Sequence, residues 1–225
     1  MLAGKTVGVL GAGNIGEALI RGVVKACVIE ARQIIASRRT LAALLRLKED
    51  IGVSVTTDNS ELVRSSDIIV LSVKPQILGD VLESVAPHLS GEKLIISLAA
   101  GITTDFIEEK AGCDIPVVRV MPNTPGLVGE AISAYSIGRH ASDSHALLAS
   151  EILSAIGVAV KVDERFLDPI TAVSGTGPAY IFYLMEALID SSVALGIPLH
   201  LSKALIRQTV YGAAKLVMET GEEPA

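Results

Sequence analysis

Residues 7–22 read VGVLGAGNIGEALIRG, and the architecture of the chain follows outward from them. An apolar, β-rich run over 6–10 ends in glycines, and Ile15, Leu19 and Val23 then fall on one helical stripe. GAGNIG at 11–16 sits between the two, so the order is strand, tight turn, helix. Glycines at 11, 13 and 16 permit the turn, let a pyrophosphate approach the backbone, and let the helix pack close to the strand. The N–H groups opening the helix then face phosphate oxygens. The stretch predicts a dinucleotide site, although the same glycines also suit a turn used only for packing.

Beyond residue 22, short apolar runs alternate with helical patterns up to about residue 160. Strands are expected at 33–36, 53–56, 68–73, 94–98 and 117–121. Helices are expected at 41–48, from an N-cap at Asn59 or Ser60 to Arg64, and from Thr103 or Thr104 to Lys110 with Glu108 as capping-box partner. Strand and helix in alternation predict an α/β fold with a mostly parallel sheet. From Asp163 to Glu219 no strand is evident. Two long helices are expected at 178–195 and 201–219, separated by Gly196 and Pro198. The domains are accordingly set at 1–160 and 161–225.

The end of the second strand selects the dinucleotide. An NAD site usually carries an acid there, about 20 residues past the glycines. This chain has Ser37, Arg38 and Arg39 instead, which suit a 2′-phosphate and so NADP, unless the arginines form only a solvated pair. Three further strand ends turn abruptly polar or small. SVKPQ at 72–76 contains Lys74, and Pro75, which is read as fixing a loop. SLAAG at 97–101 leaves room for a ring, and RVMPNTP at 119–125 makes a rigid polar lip. Together they predict a cleft along the carboxyl edge of the sheet.

Composition narrows the partners. In 225 residues, 19 Lys and Arg face 25 Asp and Glu, a formal charge of −6, and the tightest basic cluster is one arginine pair. That argues against nucleic acid. No apolar run reaches about 18 residues and no signal-like segment opens the chain, so a cytoplasmic protein without a membrane partner is expected. Cys27 and Cys113 are too few and too separated for a disulfide framework or zinc site. The four histidines are scattered and read as surface residues, so no metal is expected.

Taken together, VGVLGAGNIGEALIRG (7–22), ASRR (36–39), the helix start at Asn59, LSVKPQ (71–76), SLAAGI (97–102), RVMPNTP (119–125) and TAVSGTGPAYIFYLMEALIDSSVALGIP (171–198) resemble the pyrroline-5-carboxylate reductases over essentially the whole chain. The resemblance implies a Rossmann-type domain followed by an all-helical dimerisation domain, forming a homodimer or higher oligomer. It implies reduction of 1-pyrroline-5-carboxylate to L-proline, the last step of proline biosynthesis, by hydride transfer from NADPH, with NADH possible. The implied cofactor contacts are Gly11, Ala12, Gly13, Asn14, Ile15, Ser37, Arg38 or Arg39, Asn59, Val73, Lys74, Pro75, Ala99, Ala100 and Gly101. Asn123, Thr124, Ser174, Gly175, Thr176 and Gly177 are expected at the substrate, with Glu164 as a weaker candidate.

An imine is more basic than a ketone and can carry its own proton into the site, so no dedicated acid is assigned. Placement of two rings in a dry cleft supplies much of the acceleration. In the family, a Ser-Pro-Gly-Gly loop after the second long helix holds the substrate, whereas this chain ends before it. The helical domain is therefore expected to be cut short, with NADPH binding kept and turnover poor. Two alternatives remain open from the residues alone. One is another NADPH-dependent imine or short-acid reductase, and the other is a non-catalytic NADP-binding dimerisation module.

Overall fold

The computed structural model describes residues 2 and 4–222. The chain end at 223–225, on which the expected shortening of the helical domain falls, lies outside the described residues.

Eight strands form one sheet: β1 (Val7–Leu10), β2 (Ile34–Ser37), β3 (Ser54–Thr56), β4 (Ile68–Leu71), β5 (Leu94–Ser97), β6 (Val117–Met121), β7 (Ala131–Ile137) and β8 (Gly157–Lys161). Their order is β3-β2-β1-β4-β5-β6-β7-β8. β1 to β6 are parallel, β7 runs antiparallel to β6, and β8 is parallel to β7. The order reverses between β1 and β4, the switch point at which doubly wound sheets open a crevice. Leu10 is level with Ser37 and with Leu71, so the segments after β1, β2 and β4 emerge side by side at one edge.

The central strands β1, β4 and β5 are almost wholly apolar because both faces are covered, whereas the edge strands β3 and β8 are partly exposed. On one face Val9, Ala36, Val70, Ile96 and Val118 meet α1 (Asn14–Lys25), α2 (Leu41–Ile51) and α6 (Asp143–Leu153) through Leu19, Leu44 and Ile152. On the other, Leu10, Ile69, Leu71 and Ile95 meet α3 (Asn59–Arg64), α4 (Pro75–Val85) and α5 (Thr104–Ala111) through Leu62, Leu82 and Ile107.

Three local expectations change. Asp58, not Asn59 or Ser60, caps α3, accepting the Ser60 N–H at 2.8 Å. Pro75 opens α4 rather than fixing a loop, since a helix's first position needs no N–H donor. Thr103 does cap α5, but Glu108 lies two residues beyond the capping-box position and is buried.

The chain divides into two compact units, Met1–Gly175 and Thr176–Ala225. The first ends with α7 (Leu167–Ile170) and a π-helical turn, Thr171–Gly175. The second holds α8 (Gly177–Ala194) and α9 (Leu199–Thr220), separated at Gly196, whose φ is +89°, and Pro198. No described helix is long and apolar enough to cross a membrane.

Candidate functional site

The three glycines of the first turn differ in what they do. Gly11 has φ +88°, and a Cβ there would lie 2.7 Å from Val73 Cγ1 and 2.9 Å from the Ser72 carbonyl. Gly16 lets α1 pack on the sheet, because its Cβ would meet Gly11 O at 3.0 Å and Val9 Cγ1 at 3.2 Å. Gly13 is unconstrained by neighbours; the nearest atom to its Cβ would be Gly11 O at 3.9 Å. Gly13 nevertheless lines two cavities. The amides of Gly11 and Ala12 donate to Ser37 O at 3.0 and 2.8 Å, holding the turn against β2. The first-turn amides from Asn14 onward are those that a helix leaves without internal acceptors, and the helix dipole makes that end attractive to an anion.

One cavity, of 360 Å³, runs from the glycine turn past the end of β2 and includes Ser37, Arg38, Arg39, Thr57, Asn59 and Lys74 in its wall. Ser37 is buried, and its hydroxyl donates to Asn59 Oδ1 at 2.8 Å. Arg38 Nη1 reaches the Ala12 carbonyl at 3.4 Å. Among the described residues no carboxylate lines this cavity. Asp58, its nearest acid in sequence, is engaged as the cap of α3. Thr40, Thr57 and Ile77 also contribute to the wall and were not anticipated. For Thr57 the sequence held a signal, since it follows Thr56, which is level with Ser37.

The second cavity, of 550 Å³, shares Gly13, Ser72, Val73 and Lys74 with the first, so the two form one cleft along the carboxyl edge. Its far end is made by Leu98, Met121, Pro122, Asn123, Thr124 and Gly175. The Asn123 amide is fixed at both ends: Oδ1 accepts the Ile132 N–H at 3.1 Å, and Nδ2 donates to Ser174 O at 3.2 Å. A Cβ at Gly175 would fall 2.6 Å from Met121 Cε, the flexible end of that side chain, so the two residues are in close contact there.

Several anticipated residues lie elsewhere. Ala12 is buried and braces the turn, and Pro75 lines neither cavity. Ala99 is buried, Ala100 and Gly101 are exposed and line neither cavity, and Leu98 is that segment's contribution. Thr176 and Gly177 belong to the second unit. Glu164 lines neither cavity: its carboxylate accepts the Thr104 N–H at 2.8 Å and the Thr104 hydroxyl at 2.6 Å. Of the histidines, only His200 is fully exposed, since the other three are half-buried in caps and pairs.

A glycine turn at the switch point, an acid-free basic pocket at the end of β2 and a cleft continuing to β6 define a nucleotide-dependent oxidoreductase of the doubly wound class. The comparisons with known proteins agree. Residues 6–101 match the family described as NADP oxidoreductase coenzyme F420-dependent, and residues 164–225 match pyrroline-5-carboxylate reductase dimerisation. The chain is 41% identical to a pyrroline-5-carboxylate reductase of Glycine max over 219 residues, covering 97% of this chain and 80% of that protein. A pyrroline-5-carboxylate reductase structure from Coxiella burnetii superposes with a TM-score of 0.92 at 35% identity, covering 97% of this chain and 82% of the other. The NADP-bound pyrroline carboxylate reductase of Plasmodium falciparum gives 0.87 at 33%, covering 97% and 80%. The chain belongs to the pyrroline-5-carboxylate reductase family.

Proposed function

We infer that this chain reduces 1-pyrroline-5-carboxylate to L-proline with NADPH, the closing step of proline biosynthesis. The observation that carries the reading is the cleft itself, basic and free of carboxylates at one end and largely apolar at the other. The residues fit the cofactor. Gly13 leaves open on the cavity wall the space a Cβ would fill, and Arg38 and Arg39 stand where a 2′-phosphate needs positive charge. NADP bound to the Plasmodium falciparum relative supports the same choice.

The pyrophosphate would be held by the start of α1 at Gly13, Asn14 and Ile15. Asn59, braced by Ser37, and the two arginines would hold the adenosine end. Val73 and Lys74 lie where the two cavities meet. When bound, the reduced nicotinamide supplies the hydride that the iminium carbon accepts. The chain's own part is placement and dryness. Leu98, Met121 and Pro122 exclude water, and Asn123, its amide already fixed, keeps the lip at Thr124 rigid. The substrate brings its proton on the imine nitrogen, so no side-chain acid is assigned.

We also take 1–160 as the nucleotide-binding part and 161–225 as the start of the dimerisation part; the match beginning at residue 164 supports this. The working form is a homodimer or larger assembly of this chain. Two free cysteines, one of them exposed, suit a reducing cytoplasm. The test is NADPH oxidation by the purified chain with 1-pyrroline-5-carboxylate, followed by detection of proline. Proline should form slowly, and faster with NADPH than with NADH. Cofactor binding without proline formation would overturn the assignment.

A further inference from the structure

Arg119, in β6, is 3% exposed and has no role in the reading above. Two carboxylates hold its guanidinium. Nη1 donates to Glu164 Oε1 at 3.2 Å, and Nη2 donates to Asp168 Oδ1. Glu164 is shared, since it also accepts the N–H and hydroxyl of Thr104, the first residue of α5. A carboxylate there occupies the favourable end of the helix dipole. One guanidinium thus ties β6, the start of α5, the turn Glu164–Phe166 and α7 together. Lysine, with a compact ammonium, cannot span two carboxylates in this planar manner.

α7 runs directly into the π-helical turn Thr171–Gly175. Thr171 Oγ1 bonds back to Leu167 O at 2.9 Å. Ser174 O receives Asn123 Nδ2, and Gly175 abuts Met121 at the far end of the cleft. Arg119 and Met121 lie two residues apart on β6, so the clamp and the wall it supports share one strand. Neither Arg119, Glu164 nor Asp168 lines either cavity. Buried ion groups contribute little net stability for their desolvation cost, and here one guanidinium holds two carboxylates from separate segments at a fixed spacing.

We propose that Arg119, bridging Glu164 and Asp168, is a positioning residue for the reductase reaction. It fixes the 171–175 turn and with it the spacing of Gly175 from the Met121–Thr124 wall at the imine end of the cleft. The consequence for kinetics rests on the reductase reading; the consequence for the turn does not. Asp168 is the safest place to test it, because its side chain is 66% exposed and its replacement leaves the core intact. In Asp168→Asn and Arg119→Lys, KM for 1-pyrroline-5-carboxylate should rise about tenfold, because the wall against which the substrate packs is no longer held in place. The NADPH dissociation constant should change by less than about twofold, since the clamp lies outside that cavity. Amides 171–175 should exchange with deuterium faster in both variants. Asp168→Glu should keep KM and exchange at 171–175 close to those of the unaltered chain. A folded Asp168→Asn with unchanged KM and unchanged exchange at 171–175 overturns the proposal, and so does a loss of NADPH binding in step with the rise in KM. If the unaltered chain binds NADPH but fails to reduce the imine, the reductase reading falls, and exchange at 171–175 still decides the clamp.

Discussion

The sheet unit and the helical unit treat their apolar residues in opposite ways. In Met1–Gly175, leucines, isoleucines and valines fill two clusters, one on each face of the sheet, and most strand residues are buried. In Thr176–Ala225, Ser202 is the single buried residue among those described. Phe182, Tyr183, Leu184, Leu188, Leu205 and Leu216 all stand exposed on α8 and α9. A helix apolar on nearly every side belongs in a core, and a single chain does not provide that core here. The first unit holds its fold within itself. The second carries the surface of an interface, in keeping with its match to the dimerisation family.

The largest effect should come from breaking that contrast. Leu184→Asp places a charge on the exposed face of α8, and in a symmetric dimer it does so twice. Loss of a central contact of this kind costs about 3 kcal/mol, roughly a hundredfold in the association constant. Sedimentation equilibrium should show the variant dissociating at concentrations where the unaltered chain is associated. Leu147→Asp, on the exposed side of α6 in the sheet unit, is the matched control and should leave association unchanged. Equal association of both variants would remove the distinction between the units.

A second, smaller effect separates folding from binding within the sheet unit. Gly13→Val adds a side chain where the structure offers space but the cofactor needs it. NADPH affinity should fall by about one to two orders of magnitude, near 2 kcal/mol, with little change in melting temperature. Gly11→Val, at φ +88° and 2.7 Å from Val73 Cγ1, should instead lower the melting temperature. Calorimetry and NADPH titration on the two variants check the division. A Gly13→Val chain that still binds NADPH normally sinks the phosphate assignment.

Much of this organisation is legible in sequence, because parallel strands covered on both faces must be continuous apolar runs. VGVL, IIVL and LIIS announce themselves. β7 and β8 do not. AISAYSI is rich in Ala and Ser, both weak strand signals. β8 opens on Gly157, which is level with Ala131; a Cβ there would meet the Ala131 carbonyl oxygen at 2.1 Å. Close approach of two backbones set those residues, and the partner strand lies too far away in sequence to be inferred. The site divides similarly. Its phosphate end depends on a local glycine spacing and one strand end, whereas Glu164, a weaker substrate candidate from the family resemblance alone, has partners, Thr104 and Arg119, that lie 60 and 45 residues away and leave no local signal. Asn123 was expected to face substrate, and its amide proves to be engaged at both ends.

The smallest effect concerns how the sheet unit closes its own helix ends. α8 and α9 start without side-chain caps, whereas α6 begins with a reciprocal box. In that box His145 occupies the place usually held by Glu or Gln, and its Nδ1 accepts the Ser142 N–H at 3.0 Å. Burial first, and the nearby Lys5 charge second, hold the His145 pKa below its ordinary 6.5. The unfolded chain therefore takes up this proton at higher pH than the folded one. The cap's contribution is complete above 6.5 and is lost as pH falls from there through the folded value. Protonation also turns Nδ1 from acceptor to donor, so the Ser142 N–H loses its partner. The residue is half-buried, and screening at its exposed side keeps the change to about a degree of melting temperature between pH 7 and pH 5. His145→Gln retains an acceptor that does not titrate, and the difference in pH slope between variant and parent is the quantity to measure. The association constant should not follow that slope, because α6 lies in the unit that needs no partner. Identical slopes would show that His145 is a bystander, and a parallel loss of association would couple the two units that the burial pattern separates.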